Sequence, residues 1–286
     1  MKYLVLGCNG MAGHTVSLYL KEKGDDVTGF ARKQSQFVNT IIGDAFDTEH
    51  LKSIIDNDEY DYVINCIGLL NNDAEEYKSH AVYLNSFIPH MISDFTKESD
   101  TRLIQISTDC VFSGKRGQYT EYDVKDGENF YDRSKALGEV ENNKDITIRT
   151  SIIGPDINPK GCGLLNWFLQ QEKKVYGYNK AMWTGITTLE LAKYIKMITK
   201  KKLYGLYNVV PDQSISKNDL LVLFDKFLKE EKVEIVSIDK PVLDKSLVST
   251  KAACGYKIPG YEKMIMELKE WMESHKSLYR HYYNNV

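Results

Sequence analysis

The 286-residue chain has no large excess of either charge, with 37 Lys and Arg against 40 Asp and Glu and a formal net charge of -3. That balance supplies no general attraction to nucleic acid or to an anionic membrane, and neither is expected as a partner. No apolar run approaches the roughly 18 residues of a spanning helix. The first strand pattern, Lys2 to Leu6, is too short for a secretory apolar core, so the chain reads as soluble. Five cysteines, at 8, 66, 110, 162 and 254, are odd in number and scattered, with no C-x-x-C pair for zinc or redox exchange. A reducing, cytoplasmic setting fits that usage. The histidines have no metal-ligand spacing, and no metal is expected. Internal repeats and low-complexity segments are also missing.

What is present is alternation. Short β-rich runs at 3–6, 26–31, 40–42, 62–67, 103–107 and 145–149 are separated by helical patterns at 11–23, from 47 onward and at 80–97, the last with Pro89 inside it. Strands and helices in that order predict a doubly wound α/β fold with a parallel sheet. The strict alternation ends after Thr150, at a loop dense in Gly, Pro, Asn and Asp over 154–163. Further helices are expected at 164–172, 188–199, after Ser216 and from Tyr261, with strands at 206–210 and 233–238. The length suits one domain of about 150 to 200 residues with a smaller appendage.

Gly7-Cys8-Asn9-Gly10-Met11-Ala12-Gly13 directly follows a strand and opens a helix. Glycines there permit a tight turn, a close backbone approach to a pyrophosphate and close helix packing, while the helix N-terminus presents unpaired N–H groups. A plain structural turn would also account for three glycines, but the first βα junction is where a dinucleotide fingerprint belongs. Gly7, Asn9, Gly10, Met11 and Ala12 are therefore cofactor candidates, and residues 1–154 read as an NAD(P)-binding Rossmann domain. The second strand ends in Arg32 and Lys33, with no acid for a ribose 2'-hydroxyl; cations here suit a 2'-phosphate, so NADPH is expected, with NADH as the alternative. Asp44 and Ala45 end the third strand, and Cys66, Ile67 and Gly68 follow the fourth, at the carboxyl strand ends where ligands bind. Residues 155–286 read mainly as a smaller α/β substrate-binding lobe, with some elements returning to the first domain.

A carbonyl that accepts hydride needs a proton and stabilisation of its oxygen. Tyr131 is the candidate acid, and Lys135, four residues on, shares its helix face and is expected to lower its pKa. Thr108, at the end of the fifth strand, is placed to donate its hydroxyl to the substrate oxygen. The Tyr-x-x-x-Lys spacing alone means little in a chain with 19 tyrosines; its weight comes from its place after a strand-end Ser-Thr and the glycine loop.

The G-x-x-G-x-x-G spacing resembles that of extended short-chain dehydrogenases and reductases. Ser107-Thr108-Asp109-Cys110-Val111-Phe112-Ser113-Gly114 resembles the S-T-D-Y-V-F-D-G signature of dTDP-4-dehydrorhamnose reductases, and Ile148-Arg149-Thr150-Ser151 resembles their later R-T-S segment. The similarity is strong to about residue 155 and thin after it. It implies NAD(P)H-dependent reduction of the C4 ketone of a 4-keto-6-deoxy nucleotide sugar, in the supply of surface polysaccharide precursors. Thr108, Tyr131 and Lys135 would carry the reaction, Lys135 also reaching the nicotinamide ribose and Asp44 the adenine. Thr108, Asp109, Cys110 and Tyr131 would face the sugar. Cys110 and Ser113 depart from the signature's tyrosine and aspartate and put a dTDP-rhamnose substrate in doubt. Segments 150–154, 163–168 and 182–190 resemble a branch associated with UDP-N-acetyl-deoxyhexoses, and Trp183 is a candidate wall of the sugar pocket, with lobe core as the alternative for it, Trp167 and Phe168.

Two rivals remain. A 4,6-dehydratase or epimerase shares the superfamily, but dehydratases carry Thr-Asp-Glu at the strand end, where this chain has Thr108-Asp109-Cys110. A non-catalytic NADP-binding regulatory subunit is the other, and the intact Thr108, Tyr131 and Lys135 weigh against it. His14 is either a phosphate neighbour or a local helix cap. A homodimer is left open.

Overall fold

Strand segments that are apolar on both faces can be satisfied only in the middle of a layered structure, and β1 (Lys2–Leu6) is such a segment, buried from Tyr3 to Leu6. The computed structural model describes residues 1–57, 59–230, 232–251 and 255–283; Cys254 lies outside them. From β1 the chain runs through α1 (Met11–Glu22), β2 (Asp26–Ala31), β3 (Asn39–Ile42), α2 (Thr48–Asn57) and β4 (Tyr62–Asn65). It continues through α3 (Asn71–Glu76), α4 (Lys78–Ala81), a π-helical turn at Val82–Phe87, α5 (Ile88–Phe95), β5 (Arg102–Ser107), α6 (Phe130–Leu137) and β6 (Ile146–Arg149). The second half holds β7 (Ile152–Ile153), α7 (Leu164–Leu169), β8 (Lys174–Tyr178), β9 (Ala181–Trp183), β10 (Ile186–Thr187), α8 (Thr188–Ile198) and β11 (Gly205–Asn208). It ends with β12 (Ile215–Ser216), α9 (Lys217–Leu228), β13 (Glu234–Ile238), β14 (Leu243–Asp244) and α10 (Tyr261–Ser274).

Seven parallel strands form one Rossmann-type sheet in the order β11-β6-β5-β4-β1-β2-β3. The order reverses between β1 and β4, so the ends of these two strands flank the crevice in which such sheets hold ligands. The last edge strand, β11, comes from residues well beyond the loop at 154–163, and α8 packs on α1. Both elements return to the sheet layers, so the second lobe is not a simple cut at 154. That lobe has its own core of Leu165, Phe168, Trp183, Phe224, Leu268 and Trp271, beside a β8–β13 parallel pair and a small sheet of β12, β9 and β14.

The helix expected over 80–97 is broken. Pro89 lacks an N–H and its ring crowds the carbonyl four residues back, at Asn85. The backbone absorbs this as the π turn Val82–Phe87, with Pro89 in the first turn of α5. The displaced Asn85 carbonyl lies where a Cβ on residue 138 would be, and Gly138 leaves that space free. The fourth strand stops at Asn65, before the expected Ile67, because the Asn65 side chain accepts the Ile67 N–H at 3.1 Å and closes a turn. The helix expected to reach Glu172 ends at Leu169.

Candidate active site

The glycine loop is held by backbone. Gly7 N–H donates to the Phe30 carbonyl at 2.9 Å and Gly10 N–H to the Gly7 carbonyl at 2.9 Å, so the turn between β1 and α1 is fixed against β2. A Cβ on Gly13 would collide with the Gly7 carbonyl, which is why the third glycine is needed for α1 to approach the strand. Asn9 donates to the Lys33 carbonyl at 2.8 Å and ties the loop to the end of β2.

Beside this loop lies a cavity of about 800 Å³. Of the residues singled out from the sequence, Gly7, Asn9, Gly10, Arg32, Lys33, Asp44, Ala45, Cys66, Ile67 and Gly68 line it, whereas Met11 and Ala12 do not. Met11 and Ala12 begin α1, and Ala12 packs against the core. Arg32, Lys33 and Asp44 are exposed at the cavity. Burial pushes the Cys66 thiol up to about 12, against a smaller opposing pull from Lys135, which makes it an inert part of the wall. His14 is not part of this cavity. It is fully buried, with Nδ1–H on the Gly10 carbonyl at 3.0 Å and Nε2 accepting from the Tyr279 hydroxyl at 2.8 Å, and burial lowers it to about 4.

The cavity leads to the proton-transfer set. The site of a Cβ on Gly68 is 4.0 Å from Lys135 Nζ, so the cavity wall and the lysine are neighbours. Thr108 directly follows β5 and caps a short turn over Asp109–Val111, its hydroxyl donating to Asp109 Oδ1 at 3.0 Å and accepting from Cys110 N at 3.1 Å. Tyr131 and Lys135 both project from α6 and are buried, and Thr108 reaches the Tyr131 phenol. The expected lowering of Tyr131 by Lys135 is not found. Burial pushes the phenol above its ordinary range, followed by the influence of Cys110 and the carboxyls of Asp109 and Asp132. The Lys135 ammonium instead donates to the Ile106 carbonyl at 2.7 Å. Burial brings Lys135 down to about 8, with Glu139 and Cys66 acting in the opposite direction.

Two cations missed in the sequence face this set from the second lobe. Lys217, first residue of α9, sits 5.5 Å from the Trp183 ring centre, and its ammonium is lowered by burial while Asp109 and Cys110 oppose the fall. Lys245, after β14, lies 3.5 Å from Asp132. Burial works against its charge, but Cys110, Asp132 and Asp109 together raise it. Trp183 itself is 2% exposed and packs on Tyr261, so it is lobe core and bears on the site through Lys217. The Cys110 thiol is pushed up to about 12 by burial and by Asp109. Phe46, His80 and Asn158 also line the cavity; Phe46 follows Asp44 and Ala45 and was within reach of the same strand-end argument.

Two buried networks hold the set in place. Asn85, in the π turn, accepts from Leu69 N at 2.8 Å and donates to the Leu69 carbonyl at 2.9 Å and to Ser134 Oγ at 3.0 Å, fastening the loop after β4 to α6. Arg149 is fully buried and bidentate to Glu139 at 2.8 and 2.7 Å, while Ser107 Oγ donates to the same carboxylate at 2.7 Å and Lys125 lies 2.8 Å from it. This explains the R-T-S segment in physical terms: its arginine locks the end of β5 to the residues after α6.

The fold and these residues have relatives. A probable low-salt glycan biosynthesis reductase of Haloferax volcanii is 31% identical over 143 residues, 49% of this chain and 48% of that one. A dTDP-4-keto-6-deoxy-D-glucose reductase of Streptomyces niveus is 26% identical over 140 residues, 48% and 46% of the two chains. Methionine adenosyltransferase 2 subunit beta of Danio rerio is 28% identical over 144 residues, 49% and 43%. The matched stretch thus spans about half the length of these curated relatives. Among solved structures, a dTDP-4-dehydrorhamnose reductase of Bacillus anthracis in complex with NADP superposes with a TM-score of 0.80 at 18% identity, over 96% of this chain and 100% of that one, a likeness of fold alone. A hypothetical dTDP-4-dehydrorhamnose reductase from Sulfolobus tokodaii gives 0.76 at 25% identity, over 92% and 98%. Residues 1–241, which take in the glycine loop, the end of β5 and most of the second lobe, match the family described as the RmlD substrate binding domain, and the chain belongs to that family.

Proposed function

We propose that this protein reduces the C4 ketone of a 4-keto-6-deoxy nucleotide sugar with NADPH, with NADH as a poorer donor. The observation that carries the reading is the junction at Gly68, where the wall of a dinucleotide-sized cavity meets Lys135 and, beyond it, buried Tyr131 and Thr108. The space cleared by the glycine loop and the exposed cations Arg32 and Lys33 suit a phosphorylated dinucleotide. A nicotinamide cofactor bound there supplies the hydride. Tyr131, held neutral by burial, is in the form that gives a proton to the developing alkoxide. Lys135 is cationic below about pH 8 and holds the ribose side of the cofactor, while Thr108 steadies the ketone oxygen. The reductases named from Haloferax volcanii and Streptomyces niveus, and the NADP in the Bacillus anthracis structure, support the same reading.

Dehydration is disfavoured by Cys110, a protonated thiol where an acid would be needed. The Danio rerio relative, named as a subunit of methionine adenosyltransferase, favours a second reading in which the fold binds NADP without turnover. Following NADPH absorbance with dTDP- and UDP-linked 4-keto-6-deoxy sugars separates the two. Oxidation with one of them is expected; no oxidation with any, despite tight NADPH binding, favours the binding subunit.

A further inference from the structure

A threonine hydroxyl has one proton and two lone pairs. At Thr108 the proton goes to Asp109 Oδ1 at 3.0 Å and one lone pair takes the Cys110 N–H at 3.1 Å. A hydroxyl engaged in this way has no proton left for a substrate ketone. We propose that Asp109 is a positioning residue that gates Thr108. As a neutral acid it donates its own proton to the second lone pair of Thr108 Oγ1, which the Tyr131 phenol leaves when it turns to the ketone, and the Thr108 proton turns to the ketone oxygen as well. As a carboxylate it holds that proton back. No proton is consumed by the gate, since Asp109 and Thr108 keep their own and the one that ends on the product alcohol comes from Tyr131.

The surroundings make both states of Asp109 accessible. The side chain is buried, and burial raises its pKa above the usual carboxylate range. Lys217 from α9 and Lys245 from the segment after β14 pull the other way, as do the hydrogen bonds from Thr108 and Cys110. On α6, Tyr131 is neutral, and Asp132 is occupied by Lys245 and itself raised by burial. Two cations from the second lobe therefore set the balance of a carboxyl that controls a donor on the first. Substrate entering between them removes further water and favours the neutral acid, the state in which Thr108 can donate.

The gate rests on the reductase reading, and two measurements keep the two claims apart. In single-turnover reduction, the wild-type rate should fall by about a hundredfold as Asp109 ionises, the cost of losing one donor to a developing oxyanion. In Asp109→Asn, whose amide donates to Thr108 at every pH, that fall should disappear, leaving only the Lys135 limb. A wild-type profile without the fall, or an Asp109→Asn profile that keeps it, overturns the proposal. The second measurement needs no turnover: the Asp109 carboxyl is titrated by isotope-edited carbon NMR in the protein alone. Thr108→Val, which removes a hydrogen bond to the carboxylate, should move the titration to higher pH, and Thr108→Ser should restore it. An unmoved titration contradicts the coupling even if some sugar is reduced. A moved one supports it even if none of the sugars tested is a substrate.

Discussion

At the glycine loop, recognition is written in backbone. Gly7, Gly10 and Gly13 act through what their missing side chains allow, and the charged groups at the cavity, Arg32, Lys33 and Asp44, are exposed. At the end of β5 the opposite holds. Around Thr108, the side chains of Asp109, Cys110, Tyr131, Asp132 and Lys135 are half-buried or buried and their protonation is shifted by one another and by burial, and Lys217 and Lys245 join them from far along the chain. The difference teaches where chemistry is expensive. A phosphate can be held by N–H groups and a helix dipole at the protein surface, whereas moving a proton requires ionisable groups taken out of water and then kept from collapsing into wasted pairs.

The contrast can be broken by substitution. Tyr131→Phe should lower turnover by about 10² to 10⁴ and leave NADPH affinity intact, measured by absorbance and by cofactor fluorescence. A matching loss of affinity would merge the two regions into one. Arg149→Met leaves Glu139 buried with its bidentate partner gone and should cost about 3 to 5 kcal/mol in denaturant unfolding, an effect with no counterpart among the exposed charges of the cavity. Gly13→Ala forces α1 away from Gly7, a strain of about 1 to 3 kcal/mol that should appear in NADPH affinity and stability, with the proton chemistry of bound substrate unchanged.

Two finer effects sharpen the comparison. Lys135 has its pKa lowered to about 8, so it is charged below that pH and loses its charge as pH rises through it. Turnover should decline above about pH 8, roughly tenfold per unit. Because Tyr131 is held above its ordinary range, no second loss from phenol ionisation should appear there. Arg32→Ala with Lys33→Ala should reduce the preference for NADPH over NADH by only about 1 kcal/mol, roughly fivefold, since exposed ion pairs are screened. Unchanged preference in that double variant would remove these cations from the 2'-phosphate.

The same division explains what could be read from sequence. The glycine loop, the strand-end Ser107-Thr108 and the Tyr131–Lys135 helix are local patterns: each is a strand or helix with its chemistry within a few residues. The sheet was legible for the same reason, because strands buried on both faces are runs of apolar residues. Lys217 and Lys245 were not, since nothing near them marks a partner more than 100 residues earlier. Trp183 stood open between pocket wall and lobe core because aromatic type does not encode burial. The π turn was half visible: Pro89 announced a defect, but only Gly138 across the packing interface shows how it is absorbed. The two- to three-residue strands β7, β9, β10, β12 and β14 owe their pairing to distant segments, which no local propensity carries.

The central claim is that the cavity and the buried set act on one carbon atom. Reduction of the 4-keto sugar with NADPH carrying deuterium at the transferable position tests it most directly. The account predicts one deuterium at sugar C4, a freely exchanging cofactor, and loss of label transfer in Tyr131→Phe. Deuterium that stays in the cofactor, or a cofactor that remains bound while the sugar returns with inverted stereochemistry and no net reduction, would contradict it.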